Sequence, residues 1–288
     1  MNYLKRIEER KSIREFKNRD VSEEVLKAVS EYYDNDIKRL IPEIETDLII
    51  MTDDARKGLE GVSGYLGKTF GAPVYLILLS ETKDYYLINA GYMGEDLCLK
   101  LTELELAHCW LTFDDSDAVK KALSIDSDKA VAAIIACGYG KQESQGKRVD
   151  ILTPSFAIFK KRKGHIAPKI AQESLVYLNR WDNPVNWDDY SVDPTLDKAF
   201  YAASLAPSFL NKQPYRYILQ GHRVLLVSQP EDMTNDIDRQ LNLGATMLNF
   251  AAIANTQFDS DWSVGKPSDL KGLKLPKGCS VVAEYVLK

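Results

Sequence analysis

Two stretches of this chain carry the same succession of elements, and that order constrains the fold more than any single residue does. The first stretch has a helix opening at Ser22, which caps it with Glu23 and Glu24 in the first turn. A buried strand over 72–79 follows. Next comes a helix over 91–106, with Leu97, Cys98, Leu101 and Leu104 on one stripe, and then a core strand over 130–137. The second stretch opens a helix at Pro194, a residue suited to the first helical position, with Leu196, Ala199, Phe200 and Ala203 as its stripe. Strands over 215–219 and 223–228 come next, then a helix marked by Ile237, Leu241, Ala245, Leu248 and Ala252, and a closing strand over 280–287. No repeat of fixed period is visible, so a solenoid is excluded. The order fits two diverged copies of one α+β unit packed as an internal dimer, with ligand sites at their joint. The expected boundaries are 1–140 for the first half, 141–190 for a basic and aromatic connecting excursion, and 191–288 for the second half. Within the first half, 32–71 carries no pattern that places an element.

Composition narrows the function. Hydrophobic residues make up 45% of the chain, enough to bury a core, and the net charge of −5 argues against nucleic acid as the main partner. The four cysteines form no C-x-x-C pair and each lies in an apolar run, as expected of reduced core residues in the cytoplasm. The three histidines show no metal-ligand spacing, so no metal is expected and a histidine-dependent hydrolase is disfavoured. The N-terminus lacks a signal-peptide pattern and the longest apolar runs are strand-sized, so no membrane association is expected. Gly138-Tyr139-Gly140 follows the 130–137 strand but has no third glycine and no helix behind it. A turn is expected there rather than a dinucleotide fingerprint.

Two polar segments stand out. Ala206-Pro207-Ser208-Phe209-Leu210-Asn211-Lys212-Gln213-Pro214 places a hydroxyl, two carboxamides and an ammonium between two prolines, joining a helix to a strand. Far earlier, Arg10-Lys11-Ser12-Ile13-Arg14-Glu15-Phe16, if extended, puts Arg10, Ser12 and Arg14 on one face. Two guanidinium groups flanking a hydroxyl suit a phosphate or an electron-rich carbonyl edge. Taken by itself, that segment reads first as a solvated basic turn. Lys160-Lys161-Arg162-Lys163 is either a solvated face or a clamp over a phosphate.

Together these residues resemble the nitroreductase-like flavoprotein family. Its chains open with Arg-x-Ser-x-Arg/Lys-x-Phe, matched by Arg10, Ser12, Arg14 and Phe16. They carry Ala-Pro-Ser-x-x-Asn-x-Gln-Pro, matched by Ala206, Pro207, Ser208, Asn211, Gln213 and Pro214. The 91–106 helix with Cys109-Trp110 is similar to the family's Gly-rich, Cys-Trp-ending helix. Ordinary members hold both motifs in one subunit, whereas here each half keeps one, as in a tandem-fused, pseudo-dimeric branch. The resemblance implies a nitroreductase-like α+β fold, a monomer containing its own pseudo-dimer, and one flavin mononucleotide (FMN) site per chain. It further implies that Arg10, Lys11, Ser12 and Arg14 meet the flavin's phosphate, ribityl and pyrimidine regions. Pro207, Ser208 and Asn211 would lie along the isoalloxazine, with Gln213 buttressing the loop. The family's phosphate clamp is matched by Lys161, Arg162 and Lys163, or alternatively by Lys147 and Arg148. Gly140 and Gly164 stand where the family usually has proline. Backbone of 111–113 would approach the reactive edge.

The implied activity is an FMN-dependent oxidoreductase taking electrons from NADH or NADPH to a small aromatic or quinone-like acceptor. No protein nucleophile is required, because the chemistry belongs to the flavin. A flavin-binding protein used for storage or sensing is the alternative. An interaction protein without cofactor is a third reading, under which both motifs are coincidental.

Overall fold

In a computed structural model of the chain, the described residues are 1–52, 54–141, 147–153, 156–161, 168–187 and 192–288, with the backbone alone for 54–56, 147–153 and 156–161. The elements in chain order are α1 (Tyr3–Glu9), α2 (Glu23–Asn35), β1 (Thr46–Met51), α3 (Asp54–Leu59), β2 (Val74–Ser80), α4 (Tyr86–Glu103), β3 (Ala107–Leu111), α5 (Ser116–Leu123) and β4 (Ala130–Gly138). They continue with β5 (Lys147–Thr153), β6 (Phe156–Lys161), α6 (Gln172–Leu175), β7 (Val176–Leu178), α7 (Pro194–Ser204), β8 (Tyr215–Gln220), β9 (Arg223–Ser228), α8 (Asp236–Ala254), β10 (Trp262–Val264) and β11 (Ser280–Val286).

The strands form one sheet per half. The first has the order β1-β2-β4-β3, antiparallel throughout; the second has the order β10-β11-β9-β8-β7, in which only β7 and β8 run parallel. Strands β5 and β6 pair as a separate hairpin. The mixed α+β class expected from the element order is what the chain adopts. Strand β4 is central in its sheet, between β2 and β3, and its side chains divide between two apolar clusters, one on each face, which accounts for its unbroken apolar run. Helices α4 and α8 are buried on nearly every face, polar residues such as Asn89, Glu95 and Asn249 included, and they pack on one another at the joint of the halves. Gly91 and Gly244 make that approach possible. A Cβ at Gly91 would lie 2.3 Å from Leu241 O, and one at Gly244 would lie 2.0 Å from Ile88 O.

Four expectations need correction. First, β1 crosses the stretch where no element was placed; it is a half-buried edge strand of six residues with neither alternation nor a turn signal to announce it. Second, the 141–190 excursion is not all excursion. From 172 on, α6 and β7 join the second half, with Leu175, Val176 and Val185 in its core. Their apolar run is too short to be recognised without its sheet partner. Third, Ser22 sits at the N-cap of α2 but its side chain makes no cap hydrogen bond. Fourth, the segment containing Gly140 is extended rather than turned: Gly140 bridges Phe16, Lys17 N donates to Tyr139 O at 2.7 Å, and Lys141 N donates to Glu15 O at 2.9 Å.

The halves also exchange their N-terminal part. Ile7 of α1 is buried in the core of the second half, while Ser12 bridges His108 of β3 in the first sheet. The first motif is thereby laid along the joint. Among the described residues, no helix is long and apolar enough to cross a membrane.

Candidate functional site

A cleft of about 680 Å³ opens between the halves. Ser12 and Arg14 line it from the first motif, and Pro207, Ser208, Phe209 and Leu210 line it from the second. The strand β3 and the residue after it add Cys109, Trp110 and Thr112; α8 adds Asp238, Leu241, Asn242 and Ala245; Tyr65 and Phe70 complete the wall. The two motifs, remote in sequence, therefore share one cavity.

Local folding explains which motif residues reach it. Arg10 is the C-cap of α1, so it precedes the extended stretch rather than sharing its face. It turns inward and its Nε lies 3.3 Å from Glu95 Oε1 on α4, both side chains being nearly or wholly buried. The expectation that Arg10, Ser12 and Arg14 form one face thus holds for Ser12 and Arg14 and not for Arg10. Lys11 is exposed and is not part of the lining. Arg14 is exposed, with its guanidinium carbon 5.8 Å from the centre of the Phe70 ring.

The second motif is a strapped loop. Gln213 Nε2 donates to Ser204 O at 2.7 Å, its Oε1 accepts from Ile170 N at 2.8 Å, and its own N donates to Ser208 Oγ at 2.9 Å. Asn211 Nδ2 donates to Pro168 O at 2.6 Å, and Lys169 Nζ donates to Ala206 O at 2.8 Å. Residues 168–170 are thus tied to the loop at three points. Asn211 faces that strap and is not part of the cleft lining. Leu210, Asn211 and Gln213 all hold left-handed φ, at 48°, 57° and 47°. Such backbone costs on the order of 1–3 kcal/mol per residue and persists only where the surroundings enforce it, which the straps do.

The phosphate-clamp residues cannot be placed in the same way. Lys161 ends β6, where its backbone pairs with that of Lys147, and the side chains of Lys147, Arg148 and Lys161 lie outside the described residues; so do Arg162 and Lys163 entirely. Of the 111–113 segment, Thr112 reaches the cleft.

The titratable groups divide into two sets. Beneath the cleft, burial pushes the Glu95 carboxyl up to about 7 against the pull of Arg10 and Lys169, and burial lowers Lys169 to about 7. His108, wholly buried, is held down at about 3 by desolvation and then by Arg10, so it is neutral. On the cleft wall, Asp238 is pushed up to about 6 by burial and by the charge of Asp114, although Thr112 Oγ1 donates to its Oδ2 at 2.5 Å.

Sequence reasoning did not find Tyr65, Phe70, Asp238 or Asn242. A signal existed for the last two: polar residues four apart on an otherwise apolar helix share a face that must meet something polar. Asn242 Oδ1 accepts from Phe209 N at 3.0 Å, and its buried Nδ2 has no partner. Tyr65 and Phe70 lie in a stretch whose periodicity carries no information. Among the described residues, no cluster of side chains could hold a metal ion.

The fold and this joint define a nitroreductase-type α+β protein. The family model described as "Putative TM nitroreductase" matches residues 2–254, and the chain belongs to that family. The crystal structure of a protein from Thermotoga maritima msb8 described as a "putative nitroreductase" is similar over 100% of this chain and 94% of its own, at TM-score 0.59 and 18% identity. A nitroreductase family protein from Clostridium novyi NT covers 49% of this chain with 86% of its own, at TM-score 0.43 and 18% identity. An FMN-dependent nitroreductase from Clostridium difficile R20291 covers 48% with 88% of its own, at TM-score 0.41 and 21% identity. The comparison with curated proteins finds no match.

Proposed function

We propose that this chain is an FMN-dependent oxidoreductase that takes electrons from NADH or NADPH and passes them to a small aromatic or quinone-like acceptor. One observation carries the reading: both motifs, one from each half, border a single cleft. Its walls combine flat aromatic surface from Phe70, Trp110 and Phe209 with the hydroxyls of Ser12, Ser208 and Thr112 and the guanidinium of Arg14. The unpartnered Asn242 Nδ2 adds a buried donor awaiting an acceptor. A planar heteroaromatic group with electron-rich edges fits that donor set.

When bound, FMN supplies the hydride and electron chemistry. The protein's own residues orient and tune. Ser12 and Arg14 take the polar edge from the first half, with Arg14 placing a fixed positive charge where negative charge develops on reduction. Pro207 and Ser208 bound the ring from the second half, while Asn211 and Gln213 hold their loop through the straps to 168–170. Lys161, Arg162 and Lys163, or alternatively Lys147 and Arg148, take the phosphate. Arg10 acts from beneath, by fixing α1 against α4 through Glu95. We place the protein in the cytoplasm as a monomer, in keeping with four unpaired cysteines, of which Cys98, Cys109 and Cys137 are buried.

The visible spectrum of the purified, desalted protein, before and after added FMN, tests the cofactor. Flavin bands retained on the protein are expected, and their bleaching by NADH or NADPH in stopped flow is expected to follow. Bands without bleaching would favour a storage or sensing protein. A protein that stays colourless with added FMN would overturn the proposal.

A further inference from the structure

Beside the cleft lies a second cavity of about 730 Å³, bounded by the 61–67 loop, Phe113, Asp114 and Met233. Tyr65, Thr112, Phe209 and Asp238 line both cavities, so the two are adjacent and share one wall. Asp238 sits in the first turn of α8, where its N donates to Asn235 Oδ1 at 2.7 Å. Asn235 Nδ2 in turn donates to Asp114 Oδ1 at 2.7 Å and to Phe113 O at 3.1 Å, which pins the start of α8 to the first half. Ser63, only 2% exposed, lines the second cavity with a hydroxyl that has no partner. Among the described residues no lysine or arginine borders it, whereas Asp114 and Asp238 do.

We propose that the second cavity receives the electron acceptor, that Ser63 and Asp238 contact its oxygen atoms, and that Asp238 is the catalytic proton donor. The inference rests on the FMN reading above. Either acceptor class takes up one hydride equivalent, carrying both electrons from NAD(P)H by way of the cofactor, and one further proton. A quinone becomes the hydroquinone. A nitroarene becomes the nitroso compound as one N–O bond breaks and the oxygen leaves as water. In each case the Oδ–H of Asp238 gives the proton to oxygen, and the carboxylate is reprotonated from solvent. The acceptor is neutral or cationic, because an anion would meet the Asp114 carboxylate, joined by that of Asp238 once it ionises, with no cation among the described residues that line this cavity.

The titratable and charged groups facing Asp238 are Asp114 across the second cavity and, around the cleft, Arg14, Tyr65 and Cys109. Thr112 on the same wall supplies the hydrogen bond. Burial and Asp114 hold Asp238 up at about 6. The acid form is therefore lost as pH rises through that value, and acceptor reduction declines with it.

The test uses the full chain as purified. Without nicotinamide, so that nothing turns over, binding of neutral 4-nitrobenzyl alcohol is compared with that of anionic 4-nitrobenzoate by protein-detected NMR. We expect a preference of about ten-fold or more for the alcohol at pH 8, arising as pH rises through 6 and much reduced in Asp238→Asn. Equal binding of the two probes by the native protein at pH 8 would overturn the proposal, and needs no variant to fold. With NADPH or NADH supplied, acceptor reduction in Asp238→Asn should fall on the order of 10²-fold and lose its decline with pH. An unchanged rate with the same pH limb would overturn the proton-donor role. A native protein that cannot be loaded with FMN would overturn the reading of the cleft, and the probe preference would still decide the second cavity by itself.

Discussion

Arg10 and Arg14 carry the same side chain four residues apart and meet opposite surroundings. Arg14 is solvent-exposed at the cleft; Arg10 is buried on Glu95. Replacing Arg14 by alanine would remove the charge-assisted contact proposed to the cofactor, and FMN affinity should then drop about ten- to a hundred-fold by fluorescence titration. Asn211→Ala should also weaken FMN, but through release of Pro168 from the loop, so its loss should come with faster proteolysis near 168. Unchanged retention in both variants would dismiss a shared site. Arg10→Ala strands a buried carboxylate and should cost about 3–5 kcal/mol in urea unfolding, whereas Arg10→Met with Glu95→Met should recover most of that. The pair also carries a pH signature. Glu95 stands at about 7 in the fold against 4.5 for its ordinary value, so the native state takes up a proton between those limits and stability falls as pH rises through them. The double methionine variant should lose that slope between pH 5 and 7. Sequence spacing could not separate the two arginines, because it does not say where the helix ends and the extended segment begins.

At the scale of elements, the crossing of α4 and α8 sets the width of the joint. Each helix presents a glycine to backbone of the other, and backbone cannot swing aside as a side chain would. Gly244→Ala should therefore cost about 1–3 kcal/mol or more by overpacking, and urea denaturation would show it as a lowered midpoint. A neutral outcome would mean that the helices separate freely, and the cleft with them. Both helices were legible from their apolar spacing, since the 3.6-residue period survives in a buried helix. Their mutual contact was not legible, because an apolar face does not name its partner. The same holds for β1 and β7, whose short runs become strands only beside β2 and β8.

For the whole molecule, one chain supplies both sides of the cleft. A monomer carrying one FMN is expected, and light scattering combined with flavin absorbance would measure both numbers. Two flavins per chain would show that the opposite corner of the joint had also kept a site. The crossing-over of α1, buried in the second half while the segment after it lies along the first sheet, predicts that the halves unfold together. Coincident fluorescence and far-ultraviolet transitions would support that.

The sequence by itself determined the class of elements, their twofold order, and the two segments that border the site. Periodicity, helix-capping residues and motif spacing are local, and local forces suffice for them. Only the tertiary structure decided that Ser12 and Arg14 enter the cleft while Arg10 and Asn211 brace it. It alone brought Asp238, Asn242 and Phe70 to the same wall. Those outcomes depend on which buried faces meet across the joint, and that is settled by packing between elements far apart in the chain.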